Sequence, residues 1–480
     1  MENTKDKSYL VLESPHLLRN ILLLALPIMF SNILKSVHDI VDMYFVGHLD
    51  LEVEKVDAMV SAITVTNPII AIFQALATGL MIAGAALMSQ YLGGKHFTHA
   101  RRVNAQLLIM CFGVGLIFNV ILYFTTGPIL QLMGALDKPL VYEYSKEYVC
   151  IRSFEMTGLF IFFAYQANRQ SLGDTVSPVI LNVISIILNI ILTGILVKRF
   201  YLKGAAYATV IANMIIIPIC IVLYFKTKNE KIRLKWKDLI PNFKVIKQIF
   251  ILGLPAALSQ AFSSLGFLII NSIILDFEPY IITGIGVGNR INSILLFPVM
   301  AIGSILATFV GQNVGAENVE RTRKSVWASL FLSLIITIIG ALFLYLLRIP
   351  LVELFIPNRG LAFDSCLNYL YFLVVGLPLM GIFQVFIGTF QGAGRTGFSL
   401  ILSSFRLWVL RIPVIIIYIY VFGLKEESVW YAMIISNFGA SILGTILYQF
   451  VDFKPRIDKM KERVKKQINN SQDDLKEEFS

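Results

Sequence analysis

The chain has 480 residues, of which 56% are hydrophobic and 15% charged, with a mean hydropathy of +0.73 and a formal net charge of +10. A water-soluble chain of this length needs more charge than this to cover its surface, so the composition excludes an ordinary soluble globular protein. The basic excess lies in short connectors between apolar runs, where membrane orientation explains it, and a nucleic-acid partner is not implied.

Apolar runs long enough to cross a bilayer as helices recur along the chain. They predict an all-α integral membrane protein of about twelve transmembrane helices, at 18–46, 57–88, 103–126, 146–166, 176–197, 204–225, 248–275, 280–310, 325–348, 366–390, 398–423 and 428–451. The first run is too long for a signal-peptide core and is expected to remain in the mature protein. Connector 226–247 carries eight Lys/Arg against Glu230 and Asp238, which makes it cytoplasmic by the positive-inside rule. With six spans on each side of it, both termini fall inside, and connectors 94–102 and 317–324 agree. Lys198, Arg199 and Lys203 disagree, because this topology places them outside. The organisation expected is a cytoplasmic segment 1–17, an N-lobe 18–225, a basic linker 226–247, a C-lobe 248–451 and a basic tail 452–480. In the tail, Ile457, Met460, Val464 and Ile468 have amphipathic spacing that suits the anionic inner leaflet, so membrane lipids are expected partners. The four cysteines are scattered and read as apolar packing residues.

An internal repeat divides the chain. Ala25-Leu26-Pro27 returns as Gly253-Leu254-Pro255, Ser89-Gln90-Tyr91-Leu92-Gly93-Gly94 as Gly311-Gln312-Asn313-Val314-Gly315-Ala316, and Gln170-Ser171-Leu172-Gly173-Asp174-Thr175 as Gln391-Gly392-Ala393-Gly394-Arg395-Thr396. The offsets are 228, 222 and 221 residues, so three landmarks recur in one order at nearly one spacing. Parallel repeats of this kind place a substrate site between the two halves, near the membrane midplane.

Lys35, His38, Asp39 and Asp42 stand at i, i+3, i+4 and i+7 of the first span, on one helical face. Ionisable groups inside a span are expensive and mark functional cavities. Lys35 and Asp39 can neutralise each other; Asp42 lacks such a neighbour and is the candidate for exchanging protons. Glu155, in the fourth span, is read either as a member of an N-lobe polar network or as a solvated acid at a helix end. Arg290, Arg406 and Arg411 lie inside C-lobe spans, either packed against backbone carbonyls or forming a basic cavity wall suited to an anionic group on a substrate. No Walker motif is present, and no cofactor is expected.

From about Leu18 to Phe450 the chain resembles the multidrug and toxic compound extrusion (MATE) family. The resemblance is carried by Val41-Asp42-Met43-Tyr44-Phe45-Val46-Gly47, by the Gln/Gly connectors quoted above, and by Gly204-Ala205-Ala206-Tyr207-Ala208-Thr209. It implies a V-shaped bundle of two pseudo-symmetric six-helix lobes working by alternating access. It implies secondary antiport, with protons or sodium entering as small amphipathic, drug-like compounds, cationic ones foremost, leave across a prokaryotic-type cytoplasmic (inner) membrane. In that pattern Asp42 matches the coupling carboxylate of the N-lobe, while Asn189 and Thr209 match its neutral partners. Thr193 stands where a second acid would complete a sodium site, so proton coupling is preferred and sodium at Asp42 is the alternative. Spans seven and ten, 250–275 and 366–390, contain no Asp or Glu, so the C-lobe cation site of another branch is not expected. The protein is expected to act as a monomer and not as an enzyme. Two rival readings are a lipid-linked saccharide flippase, favoured by Lys35, Arg290, Arg406 and Arg411, and a membrane-embedded enzyme resting only on His38 beside Asp39.

Overall fold

A backbone in hydrocarbon must satisfy its own polar groups, and each apolar run does so by coiling into a helix. The computed structural model describes residues 8–49, 51–133, 136, 138–227 and 233–456; the side chains of residues 37–40, 42 and 132 lie outside that description. The expected tail helix, with Ile457, Met460, Val464 and Ile468, also lies outside the described residues. In chain order the α-helices are α1 (Ser8–Leu12), α2 (Leu17–Gly47), α3 (Val53–Gly93), α4 (Phe97–Leu132), α5 (Pro139–Arg152), α6 (Glu155–Ser171), α7 (Val176–Phe200), α8 (Leu202–Phe225), α9 (Phe243–Ile274), α10 (Pro279–Gly315), α11 (Val319–Glu353), α12 (Leu361–Gly392), α13 (Thr396–Ser404), α14 (Ile412–Tyr420) and α15 (Glu426–Gln449). A π-helical turn, Phe405–Arg411, joins α13 to α14, and together they form one span. Counting the bent pair α5–α6 as one crossing, the described residues contain twelve spans, six before the linker and six after it.

The helices run past the predicted apolar limits at most ends; α3, for example, covers Val53–Gly93 where the sequence suggested 57–88. The fourth span corrects the sequence reading of one helix over 146–166: α5 and α6 meet at a 46° bend. Ser153 explains the bend. Its hydroxyl donates to the Cys150 carbonyl (2.8 Å) and its amide to the Val149 carbonyl (2.7 Å), while Phe154 N–H tightens onto Ile151 (3.2 Å). Serine back-bonding of this kind bends helices, and the Ser153 and Phe154 amides stay paired at the break. The connector charges that seemed misplaced are partly neutralised, since Lys203 pairs with Glu147 at 2.8 Å.

The linker is tied to the first half. A short 3-10 turn, Trp236–Leu239, lies against α4, where Arg101 meets Asp238 at 2.6 Å and the Gln106 amide donates to the carbonyls of Asp238 (3.0 Å) and Ile240 (2.9 Å).

The two halves meet reciprocally: α3 packs on α9, α10 packs on α2, and α3 and α10 touch each other. At one end the repeated Gln/Gly segments interlock. The Gln90 amide donates to the Gly392 carbonyl (3.2 Å), and the Gln312 amide to the Ser171 carbonyl (2.6 Å). Gln170 donates to Ser304 Oγ (2.5 Å), and Thr308 donates back to the Gln170 carbonyl (3.1 Å). Glycine is required where the helices touch. A methyl on Gly93 would stand 1.8 Å from the Gln312 carbonyl oxygen, and one on Gly315 would stand 1.9 Å from that of Gln90. The same end holds α1, through Arg321 donating to the carbonyls of Val11 (3.1 Å) and Ser14 (2.7 Å).

Candidate ion and substrate chamber

Helix α7 shows how sequence pattern builds the site. Its buried residues Leu181, Ser185, Asn189 and Thr193 recur every fourth position, while Ile180, Ile184, Ile187, Ile191 and Ile195 stand exposed. An apolar outer face suits lipid, and the polar stripe turns toward α8 and the interior. On α8 the facing stripe includes Ala205, Thr209 and Ala212. Two rungs join the helices: the Asn189 amide donates to Thr209 Oγ1 (3.0 Å), and the Ser185 hydroxyl donates to Asn213 Oδ1 (3.0 Å). Thr193 donates to Asn189 Oδ1 at 3.4 Å, one turn further along. Asn189, Thr193 and Thr209 are all buried.

The ladder continues to a buried acid. Asn213 donates its amide to Glu155 Oε2 (3.4 Å), and Arg152 Nη2 meets Glu155 Oε1 at 2.6 Å. Arg152 also donates to the Tyr148 hydroxyl (3.2 Å). Glu155 is only 1% exposed, which rules out the solvated helix-end reading and places it in the N-half network. Its position in the first turn of α6 is favourable for a carboxylate, because the helix dipole is positive there.

All of these polar side chains except Thr193 and Tyr148 line a chamber of about 250 Å³. Asn189, Thr209, Ser185 and Asn213 form one wall, Glu155 and Arg152 another, and Lys35 enters from α2. Asn182 donates to Ser31 of α2 at 2.7 Å, fastening α2 to α7 in the chamber wall. Polar amides and hydroxyls between apolar walls can take an amphipathic molecule, and side-chain oxygens at Asn189 and Thr209 can serve a hard cation as ligands. The backbone of α2 is helical through His38, Asp39 and Asp42, but their side chains are outside the described residues.

The C-half arginines separate. Arg406 and Arg411 are buried against α15, whereas Arg290 is exposed on α10 and shares no hydrogen-bond partner with them among the described residues. Sequence reasoning missed Asn182, Ser185 and Asn213; the period of Asn182, Ser185, Asn189 and Thr193 along α7 was the available signal.

Twelve spans in two matching halves, with a polar chamber walled by helices of the first, define a polytopic membrane transporter. The MatE family model matches residues 27–195 and 255–417, and the chain belongs to that family of multidrug efflux transporters. The chain is 24% identical over 457 residues to the probable multidrug resistance protein YoeA of Bacillus subtilis, covering 93% of this chain and 96% of that protein. The multidrug export protein MepA of Staphylococcus haemolyticus is 25% identical over 452 residues, covering 92% and 96%. Among solved structures, an outward-facing multidrug resistance MATE transporter superposes with a TM-score of 0.84 at 22% identity, covering 96% of this chain and 100% of that one. A transporter of the same superfamily from Pyrococcus furiosus, described as having a binding pocket of reverse polarity, superposes at 0.85 with 21% identity over 94% and 98%.

Proposed function

We propose that the chain is a secondary antiporter of the cytoplasmic (inner) membrane that exports small amphipathic, drug-like compounds in exchange for protons or sodium. The observation that carries this reading is the polar ladder Asn189–Thr209 and Ser185–Asn213–Glu155 lining a chamber beside α2, the helix that holds Asp42. Residues 18–225 and 248–451 act as two lobes joined by the basic linker, with both termini cytoplasmic and the protein working as a monomer. The interlocked end is then the cytoplasmic one, and the chamber faces outward. Asp42 takes the coupling ion, and Asn189, Thr209 and Thr193 orient it by donating or accepting hydrogen bonds. Substrate and ion bind the outward and inward packings with different affinity, and that difference links their fluxes. Asp42 with one amide and two hydroxyls offers a single full negative charge, which favours a proton over sodium.

The test is substrate-driven ion movement in proteoliposomes, with the parent and Asp42→Asn compared under imposed proton and sodium gradients. Export should collapse a proton gradient in the parent and leave it intact in the variant. Equal ion movement in both proteins would remove Asp42 from the mechanism.

A further inference from the structure

The second half holds two buried arginines that the chamber chemistry does not use. Arg406 is 4% and Arg411 8% exposed, and no carboxylate among the described residues pairs with either. They stand five residues apart in the π-helical turn Phe405–Arg411. In an α-helix, residues five apart diverge by about 140° around the axis. A π-turn closes i to i+5, so both guanidinium groups reach the same face and the same neighbour on α15. Arg406 Nη1 donates to Asn437 Oδ1 at 3.5 Å, and Arg411 Nη2 donates to that same oxygen at 2.9 Å. Arg411 Nε donates to the Ser436 hydroxyl at 2.9 Å. Arg406 Nε is buried with no partner.

The repeat shows what this place is. The 221-residue offset from Gln170 to Gln391 carries Ser185 onto Arg406, and the extra residue of the π-turn then carries Asn189 onto Arg411. The 224-residue offset between the starts of α8 and α15 carries Asn213 onto Asn437. The Ser185–Asn213 rung of the first half is therefore the Arg406–Asn437 rung of the second, with a neutral donor replaced by a cation.

Arginine keeps its charge in proteins. Burying one ion costs several kcal/mol. Two aromatic rings offset part of that cost: Arg406 lies 4.3 Å from the centre of the Phe383 ring and Arg411 6.0 Å from that of Phe267. Ring faces attract a cation without neutralising it, and one amide oxygen shared by two cations carries no net charge. We propose that Arg406 and Arg411 form a binding site for a monovalent anionic group, supplied either by an inorganic halide or by a carboxylate on a transported molecule. The unpaired Arg406 Nε is its free donor. The site stands on charge and geometry in the second half and is independent of the coupling ion assigned to the first.

The test uses the full chain in detergent. Thermal unfolding is followed in chloride, bromide and sulfate at equal ionic strength, and separately with benzoate in sulfate. The parent should show a saturable rise in melting temperature with chloride or bromide, or with benzoate, and Arg411→Gln should weaken that apparent affinity roughly tenfold or more. A response to halide alone identifies the inorganic source, and a response to benzoate alone the organic one. Bromide-soaked crystals of the parent add a readout that survives a misfolded variant, since anomalous density should appear against Arg406. Equal melting in every salt, no benzoate effect and no bromide density would overturn the site.

Discussion

Replacing Gly315 with alanine tests whether the interlocked end holds the two halves together. The added methyl would lie 1.9 Å from the Gln90 carbonyl oxygen and 2.6 Å from its carbon. Ordinary carbon–oxygen contact needs about 3.3 Å, so α3 and α10 must part by roughly 1.4 Å. Both partners are helix backbone, and neither can rotate away. A forced backbone shift of this kind costs about 1–3 kcal/mol. The bonds from Gln90 to Gly392 and from Gln312 to Ser171 stretch with it, each contributing about 0.5–1.5 kcal/mol. A net change of about 2 kcal/mol shifts the ratio of sealed to parted states roughly 30-fold toward parted. Ser89, 1% exposed beside the seal, supplies the reporter: as Ser89→Cys in a background without the native cysteines, its labelling by a membrane-impermeant maleimide reads the open fraction. Labelling should accelerate at least tenfold with Gly315→Ala. Gly113→Ala is the control, because a methyl there meets nothing within 4 Å. Unchanged labelling and melting in Gly315→Ala would refute the idea that this contact holds the halves.

Glu155→Gln leaves Arg152 buried beside a neutral amide, and should lower stability by about 3–5 kcal/mol in thermal unfolding. Adding Arg152→Met should recover more than half of that loss; no recovery would mean the acid is not needed for its partner's charge. Thr193→Asp supplies a second carboxylate one turn from Asn189 and should raise apparent sodium affinity roughly tenfold in sodium-driven substrate efflux; identical sodium dependence in parent and variant counts against a cation site there. At the surface, the hydrogen bond from Lys425 holds the Glu278 carboxyl below the usual 4.5. Its small stabilisation is present above pH 4.5 and fades as pH falls through the depressed folded value, so Lys425→Met should lose less melting temperature than the parent over that acid range.

The number and order of spans could be read from the sequence because hydrocarbon allows only one local solution to a long apolar run. The repeat could be read for a different reason: its Gln/Gly segments are the places where the two halves bond to each other, so both copies carry the same requirement. Asn189, Thr209 and Thr193 were singled out by resemblance, and the structure brings them together through direct hydrogen bonds. The α5–α6 bend was hidden because Ser153 looks unremarkable within an apolar run, and only its bonds to the preceding turn show the break. Glu155 was ambiguous because burial depends on what packs over a helix start, here Asn213 of α8, 58 residues away, together with Arg152 of the preceding turn. The pairing of Arg406 with Arg411 was invisible at five-residue spacing, which only the π-turn converts into a shared face.

The seal between the halves is electrically neutral. Among the described residues no ion pair joins the spans of one half to those of the other; the bonds of Gln90, Gln312, Gln170 and Thr308 run between amides, hydroxyls and carbonyls. Attraction between surface charges fades over about 8 Å in physiological salt, and it vanishes when one partner titrates. Amide bonds and van der Waals contact at Gly93 and Gly315 do neither. These cross-half bonds therefore keep their strength across changes of ionic strength and pH, and in the antiport cycle proposed above a coupling ion would act from within the halves, against a mechanical offset that the outside solution does not alter.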